Sequence, residues 1–171
     1  MVAKGSTLVK FYPGMVTNND GLEVHFECGL ERGISYYLEY LLPIAMLGKY
    51  PLDIHLHGLT DTPADSSIDT IQNHVLPLLK RHFALDNELS LTIISRGYLP
   101  HGGGHVRLVV PPVRKFPAIN LSDKGYVKRV RGVAAGSMLS TSILNTLKDT
   151  AKGQLLEYLP DVWIHSDFYK G

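Results

Sequence analysis

The pattern of apolar and polar positions in the first 110 residues switches repeatedly between the period of a strand and that of a helix. Apolar residues that alternate with polar ones indicate a half-buried strand, and a spacing of three to four residues indicates one buried face of a helix. Strands that alternate with helices and pair at their junctions are typical of an α+β layer, with helices on one face of a sheet. The predicted elements follow the order β-β-α-β-α-β-β and cover residues 7–15, 22–28, 32–47, 52–59, 66–83, 88–95 and 106–110.

Local signals define where the two predicted helices begin and bend. Ser66-Ser67-Ile68-Asp69 fits a capping box in which Asp69 takes the place of the usual Glu, so the second helix is expected to begin there. Pro43 and Pro77 fall late in the two helical patterns. Because proline removes an intrahelical hydrogen bond, each helix is expected to kink or shorten at its proline.

The pattern changes after residue 110, where closely spaced prolines interrupt regular structure and predict a linker: Pro111, Pro112 and Pro117. Beyond the linker, residues 126–134 predict a strand, 141–158 a helix and 161–165 a strand. The helix is expected to bury an apolar stripe made of Ile143, Leu147, Ala151 and Leu155. A β-α-β unit of this size is too small to bury both of its faces. We therefore expect the chain to be part of a longer protein.

Composition narrows the class of protein. Of 171 residues, 44% are hydrophobic and 19% are charged, which excludes a largely disordered chain. No apolar run approaches the roughly 18 residues of a membrane span, and the first residues lack the apolar segment of a signal peptide. The lone Cys28 excludes an intramolecular disulfide and favours a reducing compartment. These features predict an intracellular, soluble, globular protein.

The formal net charge of +1 hides an uneven distribution. Residues 1–95 carry an excess of acidic side chains, whereas residues 96–132 carry eight basic side chains and Asp123 as the single acid. A basic block in an otherwise acidic chain is a candidate surface for a polyanion. The alternative is that alternating strand residues simply place these charges in water.

The glycine-rich segment Arg96–Val106 is the strongest local candidate for chemistry. Consecutive glycines allow backbone amides to converge on a phosphate or sulfate, and flanking arginines would add charge-assisted bonds. The alternative is a tight turn between strands whose glycines only supply positive φ. The segment is not a nucleotide P-loop, because no Gly-Lys-Ser/Thr follows it. The candidate anion-binding residues are Arg96, Gly102, Gly103, Gly104 and Arg107.

The sequence gives little support to a metal site or to a serine hydrolase. Asp53, His55 and His57 share one face of a predicted strand, with Asp61 close behind, and such residues can ligate zinc. No cysteine pair or second spaced histidine pair completes four ligands in sequence, so a solvent-facing polar strand is the prediction, with no metal. The serines lack a Gly-x-Ser-x-Gly context, which gives a serine hydrolase no support.

Three segments of the chain carry a family resemblance. The first segment, residues 96–106, reads Arg-Gly-x-x-Pro-x-Gly-Gly-Gly-x-Val. The second comprises Gly58-Leu59-Thr60-Asp61-Thr62-Pro63, followed by Asp69 and by Leu76-Pro77-Leu78-Leu79. The third is Val130-Arg131-Gly132. These segments resemble motifs of the RNA 3′-terminal phosphate cyclase family.

That family has two branches, and this chain resembles the one that lacks cyclase activity. True cyclases use ATP to adenylylate an enzyme histidine and then close a 2′,3′-cyclic phosphate on RNA. Where they carry a glutamine this chain has Glu39, and where a proline pair helps to hold the adenine it has Ser66-Ser67. The family's catalytic histidine lies near the C-terminus and matches none of the eight histidines here. The resemblance therefore implies no catalytic residue and no cofactor, with an ATP-dependent RNA cyclase as the alternative.

Members of the second branch are ribosome biogenesis factors, and the resemblance implies their fold and partners. They act in the nucleolus in the small-subunit processome, bind an assembly GTPase and support early pre-rRNA cleavage in the 18S pathway. The implied fold is a repeated unit of two helices on a four-stranded sheet, like the C-terminal domain of bacterial translation initiation factor 3. Residues 1–118 would complete one unit and 119–171 would begin a smaller insert domain. A basic strip is expected to meet the partner or RNA: Arg114, Lys115, Lys128, Arg129 and Arg131.

Overall fold

A four-stranded sheet forms the first part of the computed structural model, which describes residues 5–12, 14–85 and 88–169. Its order is β1-β2-β4-β3, with β1 parallel to β2 and the other two pairs antiparallel. The strands are β1 (Glu23–Glu27), β2 (Leu52–Gly58), β3 (Ser90–Ser95) and β4 (Gly104–Val110). The predicted mixed α+β architecture is confirmed.

Two helical stretches accompany this sheet. Helix α1 (Ile34–Met46) contains Pro43 and continues for three residues beyond it. The second stretch joins α2 (Ile68–Thr70), a π-helical turn (Ile71–Val75) and α3 (Leu76–Phe83). Pro77 lies in the first turn of α3, where a missing N–H is best tolerated. The interruption that the sequence predicts in this helix therefore takes the form of the π-helical turn before Pro77.

The hydrophobic core lies between the helices and one face of the sheet. Ile34 and Leu38 of α1 are fully buried, as are Val106 and Leu108 of β4. Side chains on β2 alternate between buried and half-buried, as the sequence pattern predicts. Consequently the helix-facing side of the sheet is apolar, and the other side carries polar and charged residues.

A second, smaller unit follows residues 111–129, which contain no helix or strand. It consists of β5 (Val130–Ser137), α4 (Thr141–Leu156) and β6 (Val162–Tyr169), with the two strands parallel. Ser140 caps α4 by accepting a hydrogen bond from the Ile143 amide. Across the described part of the chain, no helix is long and apolar enough to cross a membrane.

Several predicted details are wrong, each for a physical reason. The described residues of 7–15 form no strand and expose Phe11 and Tyr12, because no strand in the described part of the chain lies beside them to complete a hydrogen-bonded ladder. Strand β5 begins at Val130, the first residue that pairs with β6. Helix α4 buries Leu144 and leaves Ile143 and Leu147 more than half exposed, so its packed face is rotated from the predicted one.

Candidate functional site

Two loops that are distant in sequence meet at the end of the four-stranded sheet. The Thr60 amide donates to the carbonyl of Gly97 at 2.9 Å, and the Gly97 amide donates to the Thr60 hydroxyl at 3.2 Å. Thr60 is fully buried. The loop after β2 and the glycine-rich segment after β3 therefore form one structural unit, although 37 residues separate them.

Arg96 is the centre of this unit. Its guanidinium donates two hydrogen bonds to the carboxylate of Asp69, at 2.6 and 2.8 Å, and its side chain is only 1% exposed. Asp61 and Asp167 each approach it at 3.4 Å, the latter from β6 of the second unit. Burial alone would lower the pKa of Arg96, but the bonds and charges of Asp69 and Asp61 outweigh it and raise that pKa. Arg96 is thus a permanent buried cation that joins the four-stranded sheet to the smaller β5–α4–β6 unit.

The glycines of this segment are required by close packing as well as by backbone conformation. A Cβ atom on Gly97 would lie 2.1 Å from the Gly104 nitrogen and 2.5 Å from the Gly58 oxygen. Gly102 and Gly103 have φ values of +73° and +82°, which L side chains rarely adopt. The amide of Gly102 already donates to the Tyr98 carbonyl at 2.8 Å. The segment therefore forms a tight turn that is closed by a backbone hydrogen bond between Gly102 and Tyr98.

A groove separates this turn from the second unit. It has a volume of about 590 Å³ and is bordered by Pro100, Gly102 and Gly103 on one side and by Ser137 and Met138 on the other. The glycine turn therefore forms one wall of this groove.

A second groove lies beside it, between the π-helical turn and the strands of the second unit. It has a volume of about 610 Å³, and its walls include His74, Arg129, Arg131, Trp163 and His165. Trp163, the single tryptophan of the chain, is 62% exposed. We call this feature the basic groove. It combines cationic side chains with an accessible aromatic ring, the chemistry that binds single-stranded nucleic acid.

The predicted site residues do not all meet. Arg107 donates to Asp53 at 2.6 and 2.9 Å, and this pair lies on the polar face of the sheet. Arg96 is held by its three acidic neighbours, so the two arginines contact different carboxylates. The anion site formed by Arg96, Gly102, Gly103, Gly104 and Arg107 stays a prediction.

The basic strip is divided between two places. Arg114, Lys115 and Lys128 are exposed in the irregular residues 111–129. Arg129 and Arg131 line the basic groove, where Arg131 donates to Asp161 at 2.8 and 2.9 Å. That bond lowers the pKa of Asp161 and partly neutralises Arg131, so Arg129 is the less compensated cation.

Sequence reasoning missed three residues of this region: His74, Trp163 and His165. They lie on the π-helical turn and β6, and only the packing of the two units brings them together. The available signal was the single tryptophan of the chain, in the predicted strand 161–165, because an indole ring is a platform on which bases of any sequence can stack.

Known proteins of similar sequence identify the family. The family profile described as RNA 3′-terminal phosphate cyclase matches residues 1–164. The chain belongs to this family. A relative from Dictyostelium discoideum, named as a probable RNA 3′-terminal phosphate cyclase-like protein, is 42% identical over 165 residues. A relative from Homo sapiens, named as an RNA 3′-terminal phosphate cyclase-like protein, is 39% identical over 168 residues.

A third relative, from Schizosaccharomyces pombe, is named as an rRNA processing protein and is 36% identical over 162 residues. The alignments cover 96%, 98% and 94% of this chain but only 44% of each relative, in the order given. The chain therefore spans less than half the length of these cyclase-family proteins.

In this cyclase-family chain, Ser66 and Ser67 stand where the family resemblance implies a proline pair, and both help to fix the start of the second helical stretch. The hydroxyl of Ser67 accepts from the Asp69 amide at 3.3 Å and caps α2, so the cap is Ser67 rather than the predicted Ser66. The Ser66 carbonyl accepts a hydrogen bond from the buried Ser35 hydroxyl. Glu39 is exposed on α1. Ser66 and Ser67 therefore have structural partners in this fold.

Proposed function

We propose that this chain is part of a non-catalytic ribosome biogenesis factor that contacts pre-rRNA through the basic groove. The name of the Schizosaccharomyces pombe relative supports a role in rRNA processing, and the cyclase-like names of the others support a role apart from cyclase chemistry. The observation that carries the RNA contact is the exposed Trp163 ring in a groove lined by Arg129 and Arg131.

The proposed contact has two physical components. Lys128 and Arg129 are exposed cations on the approach to β5, and each phosphate that they neutralise releases a condensed counterion. Trp163 offers a flat surface on which a base can stack, an interaction of about 1–3 kcal/mol per base that tolerates any sequence. Asp161 forms a salt bridge with Arg131 and offsets its charge, so Lys128 and Arg129 supply most of the electrostatic attraction to RNA.

The finer assignments extend this proposal. The factor would act in the nucleolus in the small-subunit processome, bind an assembly GTPase and support 18S pre-rRNA processing without ATP. Residues 1–118 would form one repeated unit like the C-terminal domain of initiation factor 3, and 119–171 would begin an insert domain. The two helical stretches on one face of a four-stranded sheet support the first assignment, and the separate β5–α4–β6 unit supports the second.

A second candidate function is ATP-dependent cyclisation of RNA 3′-phosphates. The family match over residues 1–164 favours it, because that family takes its name from this reaction.

RNA binding by the groove can be tested with charge-reversed variants of the intact protein. We expect Lys128→Glu/Arg129→Glu to weaken binding of a single-stranded RNA by about 10-fold or more, since two phosphate contacts are lost. The slope of log affinity against log salt should also become shallower by about 1.4, from roughly 0.7 per contact. Fluorescence anisotropy over a salt series measures both quantities.

The matched control is Arg81→Glu, which reverses an exposed charge on α3 outside the basic groove. It should leave affinity and slope nearly unchanged. Equal losses in the control and the double variant would contradict the proposed groove, and so would binding that does not depend on salt.

A further inference from the structure

The polar face of the four-stranded sheet collects four of the eight histidines of the chain. In the parallel pair β1–β2, His25 is the register partner of His55. In the antiparallel pair β2–β4, His57 is the register partner of His105. Because side chains two residues apart on a strand share a face, these registers bring all four rings together. Sequence spacing alone shows only His55 and His57 as neighbours.

The four rings form one connected cluster. His57 and His105 stack with centroids 4.3 Å apart, and His25 and His55 stack at 4.8 Å. The Nδ1 atom of His25 lies 3.3 Å from Nε2 of His57, and Nδ1 of His55 lies 2.7 Å from Nε2 of His105. His25 and His55 therefore each have the Nδ1 atom engaged by another histidine and the Nε2 atom left for a different partner.

Those two Nε2 atoms converge on one carboxylate oxygen. Oε1 of Glu23 lies 2.9 Å from Nε2 of His25 and 3.4 Å from Nε2 of His55. The three ligand atoms all lie within 4.8 Å of one another. In a tetrahedral zinc site with bonds of about 2.0–2.1 Å, neighbouring ligand atoms are about 3.4 Å apart. The two separations from Glu23 Oε1 are already near this value, and the two nitrogens, at most 4.8 Å apart, would need only a small side-chain adjustment to reach it.

We propose that Glu23 Oε1, His25 Nε2 and His55 Nε2 bind a divalent transition-metal ion such as Zn²⁺. Two imidazoles and a carboxylate are ligands that suit this class of ion, and three protein ligands leave a fourth position for water. The ion would replace the direct contacts between Glu23 and the two rings. No atom has to cross the sheet for this to happen.

His57 and His105 complete the site as positioning residues. Metal-bound histidines generally donate their second ring N–H to a neighbour, which fixes the tautomer and the orientation of the ring. Here His57 and His105 stand at the acceptor positions for His25 and His55.

The site has an evident access route and a mechanical consequence. His25 and Glu23 are 59% and 52% exposed, whereas His55 is 12% exposed, so an ion enters from solvent above the inner ligand. Among the described residues, strand β1 lies at the edge of the sheet and pairs with β2 alone. A bound ion would tie this edge strand to β2.

The two acids that the sequence placed beside His55 and His57 are excluded as ligands, because Asp53 pairs with Arg107 and Asp61 approaches Arg96.

Isothermal titration of the untagged, intact protein with Zn²⁺ tests the site. We expect one ion per chain, together with a raised melting temperature in its presence. Glu23→Gln should weaken binding by about 10-fold or more, and His105→Gln, which touches no proposed ligand atom, by about 10- to 100-fold. His82→Gln on α3 is the matched control and should bind normally.

Absence of zinc binding at micromolar concentrations would overturn the proposal. Binding that Glu23→Gln leaves unchanged would overturn it as well, because the ion would then sit elsewhere. Glu23 is exposed at the sheet edge, so its variant is expected to fold, and circular dichroism of each variant checks that a loss of binding is not a loss of structure.

Discussion

Arg96→Met is expected to destabilise the protein by about 3 kcal/mol, since removal of one partner strands the charges of a buried ion cluster. The methionine would fill much of the same space but leave Asp69, Asp61 and Asp167 without their shared cation. The three acids are 20–34% exposed, which lets water offset part of the loss and keeps the value at the lower end of the range for buried pairs.

Urea unfolding of three variants separates this effect from a simple loss of charge. Arg107→Met removes the exposed pair with Asp53, which solvent screens, and should lower the free energy of unfolding much less than Arg96→Met does. Arg96→Lys keeps the charge but cannot form the paired bonds to Asp69, so an intermediate loss is expected. Similar losses in Arg96→Met and Arg107→Met would show that Arg96 is not the centre of the fold's ion network.

Gly97→Ala is expected to cost at least about 3 kcal/mol, at or above the upper end of ordinary overpacking. The added Cβ would meet the Gly104 nitrogen at 2.1 Å and the Gly58 oxygen at 2.5 Å. Both are backbone atoms of the sheet, so relief requires movement of β2 or β4 rather than a change of rotamer. The turn, and with it the position of Arg96, should be displaced.

The control for this substitution is Gly153→Ala in the interior of α4, where no atom lies within 4 Å of the added Cβ. Helix propensity predicts a gain of up to about 1 kcal/mol there. Thermal and urea unfolding should therefore move in opposite directions for the two variants. A Gly97→Ala protein as stable as the parent would contradict the close packing of the turn.

Local periodicity was sufficient for most of the first unit. The apolar spacing of 32–47 corresponds to α1 (Ile34–Met46), and the alternation of 52–59 to β2. The segment 7–15 shows the limit of this reasoning. Its apolar residues satisfy a strand pattern, but a strand also needs a neighbour, and sequence alone does not say whether one is present.

The candidate sites depended on contacts that adjacency in sequence does not reveal. Arg96 and Arg107 flank the same glycines, which suggested a common anion, yet their carboxylate partners are 27 and 54 residues away. The histidine cluster depends on strand register, and a shift of one residue would place those rings on the opposite face. The basic groove exists only because the second unit packs beside the π-helical turn.

The most direct test of the central claim uses the complete protein, α-labelled ATP and an RNA with a 3′-phosphate, alongside an active cyclase. A non-catalytic factor is predicted to give no labelled protein band and no cyclic RNA end, while the control gives both. Appearance of the labelled band would mean that Glu39 and Ser66-Ser67 are compatible with nucleotide transfer. A labelled band together with a cyclic RNA end would make the protein a cyclase, and the proposed function would be wrong.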